Sequence, residues 1–311
     1  MRRSFFPARA LLIVVAAGAG AAAQEVRVAA ASADLAWFAR RIGGKDAVVE
    51  AFVRGDQDPH RVSARPSHLL KLKRADLLLQ SGMDLEHSWL PALLEASRNE
   101  RIRPGGAGFV DASKGLAPLE VPERLDRGSG VDLHARGNPH FHLDPEGGRL
   151  IARNVAEGFA RVRPRHAATY RDRLAAFEKD LDAKAATWAE LAAPLKGRRF
   201  VVRHGAWTYL AARYGFVVVA DLEPKPGVEP GPAHVARVLE AARRERVAAV
   251  VTPSYFDDGA SRRVAETLGV PLLRLPAGAT GAAPLDDWFA LIEHLLRSLV
   301  DAGGGAASRP A

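Results

Sequence analysis

Short apolar runs alternate with amphipathic segments along nearly the whole chain, and that alternation is the pattern of βα units built into a parallel or mostly parallel sheet. In the first half the strands are expected near VRVAAA, VVEAFV, ADLLLQSG and GFVDAS, with helices near DLAWFARRIG, PSHLLKLKRA and HSWLPALLEAS. The second half repeats the alternation. Its strands are expected near RRFVVR, GFVVVADL, VAAVVTP and VPLLRLP, and its helices near AWTYLAARY, PAHVARVLEAARRE, DGASRRVAETL and PLDDWFALIEHLLRSLV. Between the halves, helical periodicity from about Leu150 to Leu195 is interrupted by Pro164. Proline is tolerated in the first turn of a helix and not in its interior, so Pro164 is expected to open a long helix running to about Ala192.

The fold class expected is therefore α/β: two lobes, each a mostly parallel sheet flanked by helices, joined by one long linking helix. The expected divisions are a signal peptide at 1–23, a first lobe at 24–163, the linking helix at 164–192, a second lobe at 193–301 and a disordered tail at 302–311. A chain of this length with 48 % hydrophobic residues can bury a core in each of two domains.

The first 23 residues place Arg2, Arg3 and Arg9 around an apolar stretch that ends in small residues before Gln24. This is the grammar of a cleaved secretory signal, and the apolar run is shorter than the roughly 20 residues that span a bilayer. Cleavage would lower the formal net charge from +8 to +5, with the basic residues spread along helices. No clustered basic stripe with interleaved aromatics is present, so nucleic acid is not an expected partner. The chain has no cysteine, which excludes disulfides and thiolate metal sites. A soluble periplasmic protein, not a lipoprotein, is the expectation drawn from this.

Three histidines stand in sharply bounded contexts: His60 in GDQDPH, His140 in GNPHFHLDP and His204 in VVRHGAWTYL. Neutral imidazole is the commonest protein ligand for a borderline cation, and three of them make most of a tetrahedral site. His60 and His204 each come after an expected strand, at the edge where open α/β sheets bind ligands. His142 and Asp144 share an extended side with His140 and are expected to support it. The roles of His142 and His134 stay open.

These motifs, together with the P-S and A-D-L-L-L-Q-S-G-M-D-L-E that come after the first, and L-E-P-K-P-G and P-S-Y-F-D-D later, resemble the periplasmic solute-binding proteins of zinc and manganese ABC importers, the cluster A-I or ZnuA/TroA-like type. The resemblance implies two α/β lobes joined by a long helix, a metal ion between them, and delivery of the ion to a membrane permease. It carries His60, His140 and His204 over as ligands. Members commonly add an aspartate after the last strand, but here that region reads LLRLPAGATGAAP, with no acid before Asp286. Asp257 is taken as the fourth metal ligand, with Glu223 or water as alternatives.

Zn2+ is the expected cargo, because three imidazoles suit it better than Mn2+, which prefers oxygen ligands and is the alternative. The chain is expected to act as a monomer and not as an enzyme. Competing readings are a periplasmic single-zinc hydrolase, which would need a base such as Asp257 or Glu223 beside a metal-bound water, and a binder of a chelated metal, which would need a larger aromatic cavity.

Overall fold

The structure, a computed structural model, describes residues 25–124, 130, 132 and 134–304. The expected signal peptide and most of the expected tail lie outside the described residues. Strands β1 (Val26–Ser32), β2 (Ala47–Val53), β3 (Leu77–Gln80) and β4 (Phe109–Asp111) form one parallel sheet in the order β2-β1-β3-β4. Strands β5 (Arg199–Val202), β6 (Val217–Asp221), β7 (Ala249–Pro253) and β8 (Leu272–Leu275) form a second, β6-β5-β7-β8. The two halves share one winding scheme although no sequence repeat relates them. Every expected strand forms, and the buried runs Leu77–Leu79 and Ala249–Pro253 are the central strands that need apolar residues on both faces.

Helices α1 (Ala33–Gly43), α2 (Pro66–Arg74), α3 (Leu90–Ser97) and α4 (Pro145–Val162) flank the first sheet, and α6 (Thr208–Tyr214), α7 (Pro232–Glu245) and α8 (Gly259–Leu268) accompany the second. Between them runs α5 (Ala167–Ala192), and α9 (Trp288–Gly304) closes the described chain. The sequence pattern starts the linking helix at Pro164, but Pro164–His166 is a 3-10 turn and the α-helix begins three residues later. His166, at φ −104° and ψ 6°, is outside helical geometry and marks the step. The 26 residues of α5 still span about 39 Å. Their buried members, Tyr170, Phe177, Leu181, Trp188 and Ala192, recur every seven and four positions and form one stripe. Helix α9 runs to Gly304, past the point where the sequence is expected to lose order.

The lobes are held together by the segment after β8. Gly55 N donates to Ala279 O at 2.6 Å, Ala279 N donates to buried Asp34 Oδ1 at 2.9 Å, and His142 Nε2 meets Ala277 O at 2.9 Å. Gly55 has to be glycine here, since a Cβ would sit 1.8 Å from Gly278 O. Asp287 then caps α9 by accepting from Ala290 N at 3.0 Å, and fully buried Trp288 donates from Nε1 to His142 O at 2.8 Å. The Trp288 ring lies 5.1 Å from Phe38 of α1 and 6.1 Å from Trp188 of α5, so one indole joins both lobes to the linking helix. Replacing Trp288 with alanine should cost about 3–5 kcal/mol and lower the urea midpoint accordingly. An unchanged midpoint would show that the seam does not depend on this ring.

Candidate metal centre

Loops at the carboxyl ends of β2 and β5 bring His60 and His204 to one cleft, and the loop before α4 supplies His140. Each of the three offers one ring nitrogen, and these nitrogens all lie within 4.8 Å of one another. The imidazoles are 1 %, 2 % and 5 % exposed for His60, His140 and His204, so an ion among them would be largely out of water. His140 Nε2 is 2.9 Å from His204 Nε2. The ring centroid of His60 lies 5.5 Å from that of His140 and 5.0 Å from that of His204.

The backbone fixes where these rings start. His60 N donates to Asp58 Oδ1 at 2.9 Å, an Asx-type turn that the sequence DQDPH forms because Pro59 sets the dihedral between them. Its carbonyl is held by Ser88, and the Pro59 carbonyl by Trp89 Nε1 at 3.1 Å. His140 N donates to Asn138 Oδ1 at 2.9 Å. His204 adopts φ +71°, which L-residues rarely take and which costs on the order of 1–3 kcal/mol. It is held there by Asp221, whose Oδ1 accepts from His204 N at 2.9 Å and from Glu223 N at 2.8 Å.

Carboxylates then orient two of the rings from behind. His60 Nδ1 donates to Asp58 Oδ1 at 2.8 Å, and His204 Nδ1 donates to Glu223 Oε2 at 3.0 Å. With hydrogen on Nδ1, each ring turns its Nε2 lone pair toward the shared space. Burial alone would lower the pKa of His204, but the Glu223 carboxylate beside it outweighs burial and raises it. Burial would raise the Glu223 pKa, and its bond to His204 instead holds it low. His140 is pushed well below the usual imidazole range, first by burial and then by His204 and His60.

Two residues of the candidate set stand differently from the expectation. Asp257 is not brought to the cluster: it is exposed, and its Oδ1 accepts from Gly259 N at 2.9 Å at the start of α8. The fourth-ligand assignment to Asp257 is corrected accordingly, because its short side chain is spent on the helix terminus. Glu223 reaches the site but stands behind His204, where it also accepts from Gly227 N at 3.1 Å. His142 is directed to the Ala277 carbonyl and Asp144 pairs with Arg213 through bonds of 2.7 and 3.0 Å, so both brace the fold around His140. Sequence reasoning missed Asp58 and Asp221 as ring- and backbone-holders. It also left His134 without a role, although its Nε2 lies 3.2 Å from His60 Nε2. The aspartate two positions before His60 was the one available signal.

Comparison with known proteins identifies the family. The model of the ZnuA family, described as zinc-uptake complex component A, periplasmic, matches residues 28–302. The zinc-binding lipoprotein AdcA of Streptococcus pneumoniae serotype 4 is 26 % identical over 232 residues, 74 % of this chain and 45 % of AdcA, so the chain spans less than half the length of that relative. The manganese ABC transporter substrate-binding lipoprotein PsaA of Streptococcus mitis is 22 % identical over 271 residues, 84 % of each chain. A crystal structure of ZnuA superposes with a TM-score of 0.75 at 24 % identity, covering 90 % of this chain and 100 % of that one, a likeness of fold. The expectation that the chain is not a lipoprotein is corrected by these names, since AdcA and PsaA are both lipoproteins.

The charges predict a signed pH response in metal-free protein. His140 and His134, the latter lowered to about 3 by burial and neighbouring imidazoles, take up protons only when unfolded, so stability falls as pH drops below about 6.5. His204 acts oppositely: its raised pKa adds stability that is complete below the unfolded value and is lost as pH rises through the folded one. Glu223→Gln should lower the His204 pKa, seen in the NMR titration of its ring protons, and steepen the acid loss of stability. An unshifted titration would show that Glu223 does not set the charge of that ring.

Proposed function

Because this chain belongs to the ZnuA family, the periplasmic component A of zinc-uptake complexes, we propose that it is a periplasmic solute-binding protein that captures one divalent transition metal ion and delivers it to the permease of an ABC importer. The observation that carries this reading is the convergence of single ring nitrogens from His60, His140 and His204, all buried and all within 4.8 Å of one another. They come from both lobes, so binding an ion draws the lobes onto a common centre. Action as a monomer is part of this reading.

Zinc is the preferred cargo. The nearby carboxylates, Asp58 and Glu223, are engaged with imidazole N–H groups, which leaves nitrogen donors facing the centre. Such a set suits Zn2+ better than Mn2+, which favours oxygen. The family description supports the same choice, while the name of PsaA keeps manganese as the alternative cargo. Each imidazole binds as the neutral base, so protons compete with the ion. Release to the permease is then a matter of loosening a few short bonds around a desolvated ion.

Titration calorimetry should find one zinc per chain, with manganese bound at least about tenfold more weakly. Affinity should fall as pH drops below about 6.5. Changing His60, His140 and His204 together to alanine should abolish tight binding. Retention of tight binding in that variant would contradict the reading.

A further inference from the structure

The cleft holds a fourth imidazole. His134 is 8 % exposed and lines the same cleft as His140, His204 and Glu223. Its Nε2 lies 3.2 Å from Nε2 of His60, with ring centroids 5.2 Å apart. His60 carries its hydrogen on Nδ1, toward Asp58, so its Nε2 presents a lone pair to His134. Two ring nitrogens at this separation either share a proton or flank a cation. A tetrahedron with metal–nitrogen bonds of 2.0–2.1 Å has an edge of roughly 3.3 Å, close to this contact and to the 2.9 Å between His140 and His204.

The surroundings of His134 separate it from the other three. Asp58 and Glu223 hold His60 and His204 from behind, whereas no described carboxylate bonds Nδ1 of His134, whose ring lies against the Asp84 backbone. Its ring is therefore positioned by His60 and the Asp84 backbone and not by a carboxylate behind it. It also stands at the rim, close to His60 and outside the tight group of three. Several other sources of a fourth ligand are committed, and Asp132, which lines the same cleft, faces Arg61 at 3.6 Å. Asp257 caps α8, Glu223 and Asp58 serve imidazole N–H groups, and the segment after β8, where relatives of this type place an aspartate, spends Ala277 and Ala279 on the seam between lobes.

We propose that His134 is the fourth ligand of this centre, closing on the captured ion from the His60 side and making an all-imidazole site. The proposal rests on the metal-binding reading above and adds to it the identity of the residue that sets selectivity. A fourth nitrogen in place of an oxygen moves the site further from manganese. Because the ring lacks a carboxylate brace, it is also the ligand most easily withdrawn when the ion is handed on.

Zinc-edge X-ray absorption of the full-length protein loaded with one equivalent of zinc decides the ligand count. Four imidazoles are expected in the wild type, and three with one oxygen in His134→Ala. That variant should still bind one zinc, with affinity reduced by about 10- to 100-fold. His134→Asp should recover part of the zinc affinity and narrow the gap between zinc and manganese. Circular dichroism of the metal-free variants verifies that they fold. Three imidazoles in the zinc-loaded wild type, or an unchanged affinity in a folded His134→Ala, would overturn the proposal and leave the three-histidine site standing. A wild-type chain that binds no zinc would overturn both.

Discussion

The arrangement depends on two hydrogen bonds, each from an imidazole Nδ1 to a carboxylate: His60 to Asp58 at 2.8 Å and His204 to Glu223 at 3.0 Å. Histidine has two equivalent-looking nitrogens and a freely turning ring, so three nearby histidines do not by themselves make a binding centre. Fixing the hydrogen on Nδ1 decides the tautomer, and with it which lone pair faces inward. The cost is visible locally. Glu223 has to be buried with its ring while Asp58 is partly buried, and His204 has to be held at φ +71° by Asp221, a carboxyl that burial pushes up to about 7. Strain and buried charge collect where three loops meet, as they do at sites shaped for a ligand.

The fold supplies the meeting point and limits how far it can open. Parallel sheets expose their loop-bearing carboxyl ends, and two such sheets facing one cleft bring His60 and His204 together from residues far apart in the chain. The α5 stripe, the Trp288 cluster and the hydrogen bonds of Ala277 and Ala279 tie the lobes together. A seam of that kind favours small local shifts of loops over a wide swing of lobes. His134, on a loop and without a carboxylate brace, is placed where such a shift would act.

Much of this was legible in the sequence, and the parts that were not have specific reasons. The strands were readable because central parallel strands such as Leu77–Gln80 and Ala249–Pro253 must be largely apolar. His60, His140 and His204 stood out because prolines, glycines and strand ends bound their segments. Asp257 misled because an acid after a strand has two uses, and a carboxylate on a single methylene next to a helix start is taken by the helix. Glu223 was noticed as a ligand candidate but its placement behind His204 depends on the strained turn at 204, which no local pattern announces. His134 could not be read at all, since its meaning lies in a 3.2 Å contact with a residue 74 positions away.

The most direct test of the central claim is crystallographic. Anomalous diffraction collected on both sides of the zinc absorption edge, from crystals grown with zinc, should show one strong peak about 2.1 Å from the Nε2 atoms of His60, His140 and His204. A peak at any other place in the chain, or the three imidazoles loaded with nothing while zinc binds elsewhere, would contradict the account.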